Sequence, residues 1–262
     1  MGVCNARIYT PPFSYLHHQM HNTQGIVLRS VKYGDTSLIT TIFTSLYGVQ
    51  PFMVQGVRSV KASRNRSGLL QPGMLLDMVV YHQPMKNMQR MREYQPAVIY
   101  QSILQDVIKN SVALFSVEVL LRLLPDSAPL PDLFDFAFDY FSILDKTPQR
   151  QVANFPLFFM INCSRELGFD LKGSYSEETP HLNLQEGGYT HNSPALAPFM
   201  TDDDCRMLSR LMETNSYETL EHTEMGAATR MRLTEWYIAF LQRHSQHMGN
   251  IRSLQVLQAI LH

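Results

Sequence analysis

A chain of 262 residues, 45% hydrophobic and 17% charged, has the composition of a folded globular protein long enough for more than one core, which excludes a disordered or fibrous chain. Its formal net charge of −1 conceals two opposite parts: nine Lys and Arg against three acids from Met20 to Tyr100, a surplus of +6, then twelve against twenty from Gln101 onward, a deficit of −8. A basic first third joined to an acidic remainder points to two surfaces with different partners.

Residues 1–19 contain a Pro-Pro and little periodicity, and a second methionine, Met20, follows them. They read as an extension that either lacks fixed structure or is untranslated if Met20 is the start. From residue 20 to 100, short β-branched runs alternate with turn signals. "GIVLRSVKY" leads into a turn at Gly34-Asp35, "TSLITTIFTSL" ends at Tyr47-Gly48, and "VQPFMVQGV", "MLLDMVVYH" and "MQRMREYQPAVIY" follow. Five strands in about 80 residues fit a small closed or partly closed barrel better than a sandwich.

Beyond residue 101 the period becomes helical. Ile103, Val107, Leu114, Val117, Leu121 and Leu124 predict one apolar stripe of a long helix that Pro125 stops. "PDLFDFAFDYFSILDK" places Asp132 as an N-cap, and "ANFPLFFMINCSRELGF" reads as a buried helix ending near Gly168. Residues 170–200 are rich in Gly, Ser, Pro, Asn and Glu and read as an irregular insert. "TDDDCRMLSRLMET" has a Thr/Asp cap and an acidic first turn suited to the helix dipole. "AATRMRLTEWYIAFLQRHSQ" and "NIRSLQVLQAIL" close the chain as two more helices. The expected class is therefore α+β: a β-barrel, then an all-α part.

No Walker A, dinucleotide glycine fingerprint, nucleophile elbow or His-Glu-x-x-His occurs, so no catalytic residue is assigned and no enzyme is expected. Asp202, Asp203 and Asp204 suit capping better than a cation, and His244 and His247, three apart, suit a solvated helix face. No apolar run approaches the roughly 18 residues that span a bilayer, and no basic segment precedes an apolar one at the N-terminus. Three scattered cysteines, Cys4, Cys163 and Cys205, fit a reducing, cytoplasmic setting.

The strongest chemical signal is "VRSVKASRNRSGLLQPG" at 57–73, with Arg58, Lys61, Arg64 and Arg66 and no acid. A solvated hairpin loop is the plain alternative. The neighbouring strand adds Arg90 and Arg92, two apart and so expected on one face. Arg29 and Lys32 are lesser candidates. Such a patch holds phosphates by Coulomb attraction and counterion release, without reading sequence. Tyr33, Tyr81 and Tyr94 are core or rim residues that could also stack bases.

The order of "GIVLRSVKYGDTSLITTIFTSLYG" and "VQGVRSVKASRNRSGLLQPGMLLDMVVY" resembles the N-terminal part of the RecO family of bacterial recombination mediators. Tyr33-Gly34-Asp35, Phe43-Thr44, Gly48, Gly56-Val57-Arg58 and Leu70-Gln71-Pro72 carry the likeness, and "HMGNIRSLQVLQAIL", with Ser253, resembles the family's closing segment. Asp35 stands where Glu is usual, and Gln55 where Lys is common. The resemblance spans residues 23–262. It implies an OB-fold barrel over 20–100 and a helical domain over 101–262 with its insert at 170–200. It also implies binding of single- and double-stranded DNA, strand annealing, and action with RecR to load RecA onto coated single strands. A further implied partner is the acidic, Phe-ending tail of the single-stranded-DNA-binding protein, with Arg122 at the matching contact; an i, i+4 pair with Glu118 is the alternative role. Many members hold zinc on four cysteines in the insert. Here that stretch has only His181 and His191, so no metal or cofactor is expected, and Gly187-Gly188 with Tyr189 are expected to keep a small hairpin. A protein-interaction scaffold, its basic barrel binding acidic partner surfaces, is the alternative function.

Overall fold

The longest strand, β1 (Met20–Tyr33), changes partner along its length. Its first half pairs antiparallel with β4 (Leu75–Tyr81), and its second half pairs with β2 (Ser37–Thr44) across a bulge at Leu28. In this computed structural model, residues 20–57, 65–84, 86–126, 128–195, 197–214, 216–245 and 248–261 are described. The extension 1–19, the loop cations Arg58, Lys61 and Arg64, and His247 lie outside them.

With β3 (Gly48–Val54) and β5 (Gln89–Pro96) the strands close a barrel in the order β1-β2-β3-β5-β4, the parallel β3–β5 contact completing the ring. This is the five-stranded OB-type barrel, and closure leaves no strand edge open. Alternation sends Val27, Ile42, Phe52, Leu76, Met78 and Val80 inward to a core of their own, each worth roughly 1.5–3 kcal/mol of burial. A one-turn helix, α1 (Asn65–Gly68), lies in the β3–β4 connection.

The barrel and the helices share a second core. Phe43, Ile26 and Leu75 stand side by side across β2, β1 and β4, buried with the helical residues. Phe43 meets Phe134 edge-on at 5.3 Å. Gly48, at φ +65°, turns so close to Ala128 that a Cβ there would collide with its backbone. The helices are α2 (Val107–Leu123), α3 (Pro131–Lys146), α4 (Phe155–Glu166), α5 (Asp202–Glu213), α6 (Tyr217–Glu221), α7 (Ala227–His244) and α8 (Ser253–Ile260). The centre is α4, where Phe155, Leu157, Phe159, Met160, Ile161 and Cys163 are all buried, as expected of a helix apolar on every side. Gly168, at φ +76°, ends that run, with the Phe169 N–H donating back to the Ser164 carbonyl. Among the described residues no helix is long and apolar enough to cross a membrane.

Several expectations need correction. The fifth strand stops at Pro96 rather than Tyr100. The helix expected from Ile103 begins at Val107, capped by Asp106, and Val107, Leu114 and Leu121 of the supposed core stripe are exposed. The helix is buried over a wide face by α3, α4, α8 and β1, so its core positions, such as Val112, Phe115, Val119 and Leu120, do not follow one stripe. Asp132 lies inside the first turn of α3 behind Pro131 rather than capping it. The Thr201 cap does form, as a capping box with Asp204.

In the insert a hairpin, β6 (His181–Asn183) and β7 (Gly188–Thr190), is joined by Lys172, whose N–H donates to Gly187 and whose carbonyl accepts from Tyr189. Leu171, Leu182 and Tyr189 bury against the helices, and the Tyr189 hydroxyl donates to the Cys205 carbonyl at 2.8 Å. Among the described residues His181, His191 and the buried Cys205 behind the hairpin do not gather as a metal site and are too few for a four-ligand zinc centre.

Two carboxylates act as fasteners. Asp145, near the end of α3, accepts from the backbone N–H of Gln101, Ser102 and Ile103 at 2.8–2.9 Å, and Lys109 Nζ donates to the Asp145 carbonyl and to Ser102 Oγ. The Tyr100 hydroxyl donates to Gly73 at 2.7 Å, so the link between barrel and helices is held at both ends. Glu118 does the same for α8, whose cap residue Arg252 offers no side-chain bond. It accepts from the N–H groups of Arg252 and Ser253 and from the Ser253 hydroxyl at 2.6–2.9 Å. Burial opposes ionisation of Glu118, but these donors and Arg122 outweigh it and hold its pKa below the usual range. Its stabilisation is therefore present above the unfolded-chain pKa and lost as pH falls through the folded value. Glu118→Ala should cost about 1–3 kcal/mol, with faster amide exchange confined to 252–260. Unchanged exchange there would exclude this role.

Candidate nucleic-acid interface

An open groove of about 840 Å³ runs across the outer side of β1, β4 and β5 of the barrel. Its walls include Asn22, Gln24, Ser45, Leu46, Asp77, Val79, Arg92, Glu93, Tyr94 and Gln95, with Arg66 arriving from α1. The wall carrying Ser45 and Leu46 is braced by an aromatic stack that sequence reading missed. Tyr47 lies flat on His82 at 3.8 Å and 9°, with His21 edge-on at 5.8 Å. Their sequence positions are remote, and only strand pairing brings them together.

The candidate cations do not all meet here. Arg66 and Arg92 line the groove; Arg29, Lys32 and Arg90 do not. Arg66 is exposed, and its carbonyl accepts from the Tyr94 hydroxyl at 3.1 Å. Burial raises the pKa of Tyr94, and the Arg66 charge partly offsets this. Arg90 is exposed opposite Met53 and Tyr81. The β5 register slips between Met91 and Glu93, leaving Arg92 as the bulged extra residue, so simple alternation does not relate it to Arg90. Arg92 pairs instead with Glu93 at 3.1 Å. Arg29 and Lys32 are exposed on the far half of β1, opposite Thr41 and Leu38. Between them and the groove lie Ile26 and Leu28, covered by helices. Five residues of strand separate Gln24 from Arg29, roughly 17 Å. Among the described residues Arg29, Lys32, Arg66 and Arg90 form no ion pair, so their charge faces solvent.

The face of strands 2 and 3 that OB-folds commonly use is partly occupied: Val49 bridges to Asp126, and Phe43 is packed on α3. Tyr33 is exposed at the end of β1, Tyr81 is half-buried, and Tyr94 is the one of the three that lines the groove.

On the helical side Arg122 leans over the turn before α8. Its guanidinium lies 3.9 Å from Glu118 and donates to the Asn250 carbonyl at 3.5 Å; Leu121, the preceding residue of α2, is also exposed. The acids at 202–204 are occupied: Asp202 pairs with Arg206 at 2.8 Å, and buried Asp204 takes two bonds from Arg232. His244 donates from Nε2 to the Leu184 carbonyl. Among the described residues no group of three or more His, Cys, Asp or Glu gathers as a metal site.

Residues 19–100 match the family described as Recombination protein O N terminal, and residues 104–254 match Recombination protein O C terminal. Among similar proteins, the DNA repair protein RecO of Bacteroides fragilis is 30% identical over 242 residues, covering 92% of this chain and 99% of that protein. Those of Phocaeicola vulgatus and Azobacteroides pseudotrichonymphae are 28% and 22% identical over 241 residues with the same coverage. Two matched regions spanning nearly the whole chain, in the order of barrel and helices, place this chain in the RecO family of DNA repair proteins.

Proposed function

We propose that the protein is a non-catalytic mediator that binds single- and double-stranded DNA in the cytoplasm, at the nucleoid, and anneals complementary strands. It acts with RecR and the single-stranded-DNA-binding protein to load RecA. The observation that carries this reading is the set of exposed barrel cations without carboxylate partners, in a chain of a DNA repair family. Arg29, Lys32, Arg66 and Arg90, joined by Arg58, Lys61 and Arg64, neutralise phosphates of two strands. Arg92 contributes less because Glu93 already holds it. Lower repulsion lets complementary bases meet; no covalent step is needed. Arg122, with exposed Leu121 preceding it in α2, takes the carboxylates and the aromatic end of the single-strand-binding protein's tail.

The test is annealing of complementary oligonucleotides coated with the cognate single-strand-binding protein, with and without its tail. Acceleration that depends on the tail is expected. DNA affinity should also fall with salt at a log–log slope of roughly −3 to −7, as for four to eight neutralised phosphates. Absence of acceleration, or affinity insensitive to salt, would reject the proposal.

A further inference from the structure

The groove on β1, β4 and β5 is poorly built for a phosphate track. Its floor is two registered rows of side chains, Asn22–Val79–Glu93 and Gln24–Asp77–Gln95, one residue per strand. Two carboxylates, Asp77 and Glu93, share it with the two arginines that line it; Glu93 pairs with Arg92 at 3.1 Å, and Asp77 accepts from Gln24 Nε2 at 3.0 Å. A phosphodiester backbone laid on this floor meets two carboxylates. What the floor offers is three amides and two carboxylates around the apolar side chain of Val79, with Leu46 and Tyr94 on its walls. Side-chain amides both donate and accept, so they pair with the ring nitrogen, carbonyl and amino groups of an unpaired base, cytosine included, and carboxylates accept from the amino group of cytosine. Apolar and aromatic walls take flat rings. About 840 Å³ is also within the rough 300–1,000 Å³ of small-ligand sites.

We infer that this groove is a subsite for unpaired nucleobases, and that Asp77 and Glu93 keep a phosphate backbone, and with it a duplex, out of it. The inference rests on the DNA-binding reading above and gives that reading a preference. Phosphates run along the unpaired cations, Arg66 at the groove's rim and the others outside it, while bases of a single strand turn inward. A duplex keeps its bases paired and presents only phosphate to the groove.

The experiment measures fluorescence anisotropy with three probes of equal length at one salt concentration: an oligodeoxycytidine, an abasic strand and a duplex. Wild-type protein should bind the oligodeoxycytidine about tenfold more tightly than the abasic strand, as base contacts of this kind give. Asn22→Ala with Gln95→Ala should remove most of that difference and leave abasic binding unchanged. Asp77→Asn with Glu93→Gln should raise duplex affinity several-fold more than single-strand affinity. These are surface positions, and matching thermal melts check the fold. Equal wild-type binding of oligodeoxycytidine and abasic strand, or equal shifts of all probes by the variants, overturns the groove assignment alone. Failure to bind any probe overturns the DNA-binding reading and this one with it.

Discussion

Asp145→Ala is expected to destabilise the protein by roughly 3–5 kcal/mol, lowering Tm by about 6–20 °C. The side chain is 4% exposed, and its carboxylate is the acceptor for three consecutive backbone N–H groups, those of Gln101, Ser102 and Ile103. Removing it leaves those donors without a protein partner, and that of Ile103, which is fully buried, is the one shielded from water. The nearby Lys109 ammonium, also buried, keeps only the Asp145 carbonyl and the Ser102 hydroxyl. Asp145→Asn keeps one acceptor oxygen and should cost less. Burial alone would raise the pKa of Asp145, but the three backbone donors and the Ser102 hydroxyl prevail and hold it below the ordinary carboxylate range. For a depressed folded value the contribution is complete above the unfolded pKa of about 3.9 and disappears as pH falls through the folded value. Urea unfolding at pH 7 and below pH 4 should therefore show a smaller acid-induced loss for Asp145→Ala than for wild type. Equal stabilities at pH 7 would refute the fastener role. The link it fixes is the one joining barrel to helices.

What could be read from residue order was local. Strand alternation and the turns at Gly34 and Gly48 give the barrel, and Thr201 followed by Asp204 gives a cap, because each signal lies within a few residues of its effect. The fasteners have no such signature: Asp145 acts on residues 42–44 positions away and Glu118 on residues 134–135 away. Periodicity misread α2 because a helix touched from several sides buries residues off any single stripe. The cations were legible as composition, whereas their grouping depends on registers among β1, β4 and β5 and on a bulge at Arg92. The carboxylates of the groove, Asp77 and Glu93, look unremarkable until those registers set them in adjacent rows of one floor, Asp77 beside Gln24 and Gln95 and Glu93 beside Val79.

Arg64→Glu together with Arg66→Glu should weaken DNA binding by roughly ten- to hundredfold, alike for every sequence, and flatten the salt slope by about two. Arg66 is exposed and free of carboxylates among the described residues, and its backbone is pinned by the Tyr94 hydroxyl. In the proposed binding mode, reversing its charge both removes a phosphate contact and adds repulsion. Arg92→Glu offers a contrast within one surface. Glu93 already offsets the Arg92 charge at 3.1 Å, so phosphate gains less from it, and a loss of only several-fold is expected. Anisotropy titrations of unrelated sequences over a range of salt separate the cases. A loss restricted to one sequence would mean base reading by these arginines, and an Arg92→Glu effect as large as the double reversal would mean that Glu93 leaves that ion pair when DNA binds. Unchanged affinity of the Arg64/Arg66 variant would move the DNA-binding surface off this loop, leaving Arg29 and Lys32, beyond the helical contact on β1, as the cations to reverse next.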